Sequence, residues 1–150
     1  MGKKVGKDCS VKLGANTIVY MGTWTIGGVD TDMHETTSFG DDWKVYNFGL
    51  HDGGQITFNG FYDPADNTGQ MTLVEYNIDN TDISNLKLYV DNTSYFEPCQ
   101  TTGYASCHAI SGHDTQFSHV NITSFEVNAD KSGMVNVSFT AKVSGAMVLV

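Results

Sequence analysis

The chain has 150 residues, 40% of them hydrophobic and 17% charged, with a formal net charge of −9. That length fits one domain, residues 1–150, with enough chain to bury a real core. All 8 basic residues are lysines, and an acidic chain without arginine lacks the cation density that neutralises phosphates, which argues against a nucleic-acid binder.

No apolar run approaches the roughly 20 residues of a membrane-spanning helix, so no membrane partner is expected. The first residues are basic, with Lys3, Lys4 and Lys7, but no apolar segment follows to make a signal peptide, and export is not expected. Cys9, Cys99 and Cys107 give an odd count, which argues against a disulfide framework. The default reading is free thiols in a reducing compartment, with Cys99 and Cys107 able to close a small loop under oxidising conditions. The glycosylation triplets beginning at Asn92, Asn121 and Asn136 are read as chance matches.

In chain order, residues 1–8 read as a flexible arm. Four of the lysines, Lys3, Lys4, Lys7 and Lys12, fall in the first twelve residues, so positive charge is polarised to one end. Residues 9–13 and 18–26 read as strands, the second rich in β-branched and aromatic residues. After Gly27-Gly28 the stretch to Asp42 is acidic and polar, with Asp30, Asp32, Glu35, Asp41 and Asp42. It reads as a long surface loop, 28–42, and loops of that length are usually functional or disordered. Residues 43–50 and 55–62 alternate as two strands around His51-Asp52-Gly53-Gly54, whose glycines suit a tight hairpin turn. Trp43 is expected to be the buried anchor of that hairpin.

One helix is predicted after residues 63–69. Asn67 or Thr68 would cap it, and Met71, Val74 and Ile78 would form its apolar stripe beside Leu73. Leu86, Leu88 and Val90 alternate as a strand, and residues 91–118 read as a second long surface loop. Residues 120–128 and 134–143 form a hairpin with strict period two at Val135, Val137, Phe139, Ala141 and Val143. The chain ends on an apolar segment containing Met147 and Leu149, which calls for pairing or burial. Hairpins, one helix and two long loops make a mainly β (α+β) domain, a sandwich or small barrel with a flanking helix.

Reaction chemistry finds little support. Cys99, Cys107, His108 and His113 are spaced as in no common zinc finger or ribbon. Asp63, Asp66 and Asn67 fit helix capping better than calcium, since no EF-hand pattern surrounds them. There is no nucleophile elbow, phosphate loop or dinucleotide fingerprint, so no catalytic residue, cofactor or metal is assigned and no enzyme is expected. The aromatics Trp24, Trp43, Tyr46, Phe48, Phe58, Phe61 and Tyr62 are read mostly as core. An exposed subset would stack on sugars, which keeps a carbohydrate-binding sandwich as the alternative.

The stretch Phe39-Gly40-Asp41-Asp42-Trp43-Lys44-Val45-Tyr46, with Gly49-Leu50-His51-Asp52, Gly60-Phe61-Tyr62-Asp63 and the closing hairpin 121–144, resembles the major tail proteins of long-tailed, siphovirus-type phages. The resemblance implies a β-sandwich with a flanking helix, six copies to a ring, and rings stacked into a tube. It also implies a tape-measure protein inside, terminator and tail-tip proteins at the ends, and DNA passing without specific binding. The place would be the virion tail, reached from the host cytoplasm. On the same footing the 28–42 loop, the N-terminal arm and the C-terminal segment become inter-subunit contacts. The residues are Lys3, Lys4, Lys7, Asp30, Asp32, Glu35, Phe39, Asp41, Asp42, Met147 and Leu149, with the lysines meeting Asp30, Asp32 and Glu35 of another copy. The tube of a contractile or secretion device is a related alternative.

Overall fold

A computed structural model describes residues 6–99 and 118–149. After a 3-10 turn at Gly6–Asp8, the elements are β1 (Ser10–Leu13), β2 (Asn16–Thr17), β3 (Met21–Gly27), β4 (Asp30–Glu35), β5 (Tyr46–Asp52), β6 (Gln55–Phe61) and α1 (Gln70–Asp79). They are followed by β7 (Leu86–Tyr89), β8 (Tyr95–Pro98), β9 (His119–Asn128), β10 (Asn136–Ser144) and β11 (Met147–Leu149). A five-stranded sheet runs β11-β8-β7-β1-β2 and a four-stranded sheet runs β3-β6-β10-β9, while β4 and β5 pair only with each other. The fold is mainly β with one helix, as expected.

Period-two alternation explains the core. Val11 and Leu13 of β1 and Leu86 and Leu88 of β7 face inward from one sheet. Ile56, Phe58, Val120, Ile122, Val137, Phe139, Ala141 and Val143 face them from the other, in one buried cluster. Phe58 and Phe139 are cross-strand partners with stacked rings 5.4 Å apart. The predicted closing hairpin is present as β9 and β10, in register from Asn136↔Asn128 to Ser144↔His119 with one irregularity at Thr140/Ala141.

The helix exists, but with a partly different buried face. Leu73 and Gln70 are its buried residues, whereas Ile78 is 71% exposed. Leu73 is buried and Val74 packs against the core as expected; the stripe reading missed that Ile78 points outward and that a polar side chain, Gln70, is buried one turn before Leu73. Gln70 Nε2 donates to the carbonyls of Val19 (2.9 Å) and Phe61 (2.8 Å), while its Oε1 accepts the Asp63 N–H at 2.9 Å. Neither Asn67 nor Thr68 caps the helix. Asp66 accepts the Gln70 N–H through Oδ2 at 3.1 Å, and also the Val19 N–H. Asn80 ends the helix in the left-handed conformation.

The expected 43–62 hairpin is corrected. β5 pairs with β4, and β6 pairs with β3 and β10. The register runs Ile26↔Ile56 and Gly27↔Gln55 in the core sheet, then Asp30↔Asp52 and Thr31↔His51 beyond it. The glycines therefore do not reverse the chain. They let two long strands leave the sandwich together, with Gly28 and Gly54 at positive φ (70° and 92°). A Cβ on Gly54 would stand 3.1 Å from the Val29 nitrogen, so only glycine fits this crossing of backbones. The 28–42 stretch is correspondingly not all loop: its polar residues 30–35 form β4, which needs no buried face because it pairs outside the sandwich.

Two smaller differences follow. Within the expected 91–118 loop, Tyr95–Pro98 forms β8, which bridges β7 and β11. Cys99 is disulfide-bonded, contrary to the free-thiol reading, while Cys9 is free. Cys107, His108 and His113 lie outside the described residues.

Candidate assembly surface

The two-stranded arm, β4 and β5 with the turn between them, is the most exposed part of the described chain. Every residue of β5 is exposed, as is all of β4 except the half-buried Thr31. The pairs Met33↔Phe48 and Glu35↔Tyr46 place those four residues on one face; the register shifts between Thr31 and Met33, so Leu50 is not part of that row. Met33, Phe48 and Leu50 are 58%, 71% and 79% exposed. A lone two-stranded ribbon is at best marginally stable in water, and this one also carries an uncovered apolar face.

The turn is held by short-range polar bonds. Asp41 Oδ2 accepts the Ser38 N–H at 2.7 Å, Thr37 Oγ1 accepts the Val45 N–H at 3.0 Å, and Thr36 N–H donates to the Val45 carbonyl at 2.7 Å. This closure pushes Phe39 and Trp43 outward. Trp43 is 84% exposed, which corrects its reading as a buried anchor: the hairpin it was to anchor does not exist, and its turn lies beyond the core. Trp43→Ala is accordingly expected to change monomer stability by no more than about 0.5 kcal/mol, as for surface substitutions generally. Thermal melting of dilute protein checks this; a loss of several kcal/mol would return Trp43 to a buried setting.

At the root of the arm lies a groove of about 630 Å³ lined mainly by Trp24, Ile26, Val29, Phe96 and Met147. Trp24 is fixed there by its indole N–H, which donates to the Tyr89 carbonyl at 3.1 Å, and by edge contact with Phe96. Lys142 Nζ donates to Asp52 Oδ1 at 2.7 Å, and the Gly54 N–H donates to the same oxygen at 2.9 Å. The Lys142 bond, then the Gly54 bond, lower the Asp52 pKa from its ordinary 3.8. A depressed carboxylate pKa adds stability that is present above 3.8 and is lost as pH falls through the lower folded value. A carboxyl NMR titration should give a midpoint below 3.8 for Asp52, and Lys142→Ala should raise it. An unmoved midpoint would show that the pair is not formed in solution.

The sequence-derived contact residues fall into three places. Asp30, Asp32 and Glu35 are on β4, and Phe39, Asp41 and Asp42 are in the turn, all exposed. Met147 and Leu149 are on β11, an edge strand paired to β8, with Met147 packed against the core and Leu149 52% exposed. Lys7 is exposed in the 3-10 turn, and Lys3 and Lys4 lie outside the described residues. Among the described residues no ion pair joins Lys7 to Asp30, Asp32 or Glu35; the ion pair seen is Lys142–Asp52, and His119 Nε2 lies 3.6 Å from Asp82 Oδ1. Sequence reasoning missed the groove, whose walls come from residues up to 123 positions apart, from Trp24 to Met147. It also missed the arm as a separate sheet, although Tyr46 and Phe48 on one face were a usable signal.

No protein-family model and no curated protein sequence matches the chain. Solved structures do. A chain of the virion of a native gene transfer agent particle matches with a TM-score of 0.70 at 14% identity, over 99% of both chains. The tail of an empty gene transfer agent particle, with C6 symmetry, matches equally well. A sheath–tube complex of an extracellular contractile injection system matches at 0.59 with 11% identity, over 99% of this chain and 91% of the other. The chain thus shares, along nearly its whole length, the fold found in phage-like tail and injection-tube assemblies.

Proposed function

We propose that this protein is a structural subunit of a phage tail tube. Six copies close a ring, rings stack into a hollow tube of the long-tailed, siphovirus-type kind, and DNA passes through it without specific binding. The observation that carries this reading is the unsupported arm: a marginal ribbon with Met33, Phe39, Trp43, Phe48 and Leu50 exposed is stable only when a partner covers it. Open sheet edges point the same way. The four-stranded sheet ends at β3 and β9, and edges with unpaired backbone groups are covered when copies join around a closed ring. An Arg-free chain of net charge −9 repels DNA over about 8 Å at physiological salt, enough to prevent sticking.

Partners on this reading are further copies, a tape-measure protein within the tube, and terminator and tail-tip proteins at its ends. The setting is the virion tail, with assembly in the host cytoplasm, and the protein is not an enzyme. The tube of a contractile device is the second reading, favoured by the fold match to the injection-system complex. Negative-stain microscopy of purified protein, with light scattering on the same sample, tests both. Rings or hollow tubes are expected. A strict monomer at high concentration whose aromatic fluorescence quenches on adding glycans would instead establish the sugar-binding alternative.

The N-terminal arm gives a second handle. Deleting residues 1–8 removes Lys3, Lys4 and Lys7, the cations proposed to meet Asp30, Asp32 and Glu35 of another copy. Tubes should become shorter or fewer while the monomer melts as before. Unchanged tube length and yield would remove the N-terminal lysines from the contact.

A further inference from the structure

The outer face of the five-stranded sheet carries an arrangement that the fold alone does not require. Lys12 of β1 and Lys87 of β7 are directly opposite each other in the ladder. Like charges at such positions destabilise a sheet, and in a chain of net charge −9 carboxylates are plentiful. Yet among the described residues neither lysine has a carboxylate partner within 4.0 Å. Each ammonium instead lies over a ring, Lys12 over Tyr89 at 4.6 Å and Lys87 over Tyr95 at 4.9 Å, and the two rings stack 4.8 Å apart. The result is a fixed cationic, aromatic patch on an otherwise acidic protein. Cation–π contact holds the ammonium groups in place without neutralising them.

The arm is the complement. One face presents Met33 and Phe48 to solvent with Glu35 and Tyr46 in the same rows, and Asp30 and Asp32 lie on the same strand with the opposite parity. Residues 28–52 hold six carboxylates (Asp30, Asp32, Glu35, Asp41, Asp42 and Asp52) and one lysine, Lys44. Opposite charge and apolar-to-aromatic matching thus coincide on two surfaces of the same chain.

We infer that the Lys12–Lys87–Tyr89–Tyr95 patch receives the acidic arm of a second copy of this chain, with Glu35 against the paired lysines and Phe48 against the tyrosine rings. The inference rests on the tube-subunit reading and names its receiving surface. Because arm and patch are different surfaces, the contact is heterologous, and each copy can give one arm and accept another. Such head-to-tail contacts propagate into rings or filaments rather than stopping at a dimer.

A zero-length carbodiimide cross-linker, which joins amines and carboxylates only at ion-pair distance, tests this on the full chain. Equal amounts of 14N- and 15N-labelled protein distinguish contacts between copies from contacts within one. The expected result is mixed-isotope cross-links from Lys12 or Lys87 to Glu35, falling at least tenfold in 0.5 M salt as surface charges are screened. The Lys12→Gln/Lys87→Gln variant, with unchanged melting, should lose assembly, and Glu35→Lys with Lys87→Glu in one chain should recover part of it. Wild-type tubes without these cross-links would overturn the inference and leave the tube reading standing. Mixed-isotope cross-links in small oligomers that never form tubes would support the contact while overturning the tube. Cross-links confined to one isotope, or linking the patch to an added acidic protein alone, would also overturn it.

Discussion

Replacing Phe139 with alanine is expected to destabilise the domain by about 3–5 kcal/mol, the usual range for a buried phenylalanine. Phe139 is fully buried on the central strand β10, its ring stacked on that of Phe58 and 6.2 Å from that of Phe125. Truncation leaves a cavity between neighbours that are themselves held by ladder hydrogen bonds on both sides, so the site cannot collapse to fill it. For a domain of this size each kcal/mol moves the melting temperature by about 2–4 °C, which predicts a drop of roughly 10 °C. Phe125→Ala serves as the contrast: Phe125 is 38% exposed and should cost far less. Equal drops for the two variants would mean that the stacked pair does not centre the core.

Gln70→Leu is the second large effect, and it arises from polar rather than apolar burial. The side chain is fully buried and makes three hydrogen bonds, to the Val19 and Phe61 carbonyls and the Asp63 N–H. These join the β2–β3 connection, the end of β6 and the lead into the helix. Leucine has a similar size but leaves the three backbone groups without that partner. Each buried group stripped of its bond costs about 1–3 kcal/mol, so a total of roughly 3–9 kcal/mol is expected, read as a fall in the denaturation midpoint. Gln70→Glu keeps the shape yet presents acceptors to two carbonyl oxygens, and at neutral pH it should be no better than leucine. A leucine variant as stable as the parent would show that solvent reaches these groups.

Much of the sandwich was legible because period two is a local signal. Val137, Phe139, Ala141 and Val143 alternate so regularly that strand, inward face and hairpin partner follow together. Leu86 and Leu88 do the same for β7. The helix was found, with its buried face partly misassigned, because a glutamine that satisfies backbone groups looks polar in sequence and behaves as core in the fold. The arm was misread because two glycine pairs carry the same local preference whether they reverse a chain or let two strands leave a sheet together. Trp43 followed the same error: a large aromatic in a strand is usually buried, but this one stands in a turn past the end of the core.

For the proposed assembly surface, the sequence expected an all-loop projection, and the structure has a two-stranded ribbon there. The acidic stretch and the residues Phe39, Asp41 and Asp42 were singled out, and they do sit on an exposed projection. Lys12 was counted with the N-terminal lysines, but its meeting with Lys87 was not foreseen, since 75 positions separate them and only the antiparallel ladder brings them face to face.

By itself the sequence determined the class of the fold, the inward residues of β7 and β10, the acidic and arginine-free character, and the lack of any recognised catalytic pattern. These depend on composition and on spacings of a few residues, where side-chain geometry acts directly. Only the tertiary structure decided which strands pair, where Trp43 lies, which lysines meet and what forms the groove. Those outcomes depend on contacts between distant segments, and there a glycine pair or a buried glutamine has several local solutions. The packed core selects among them.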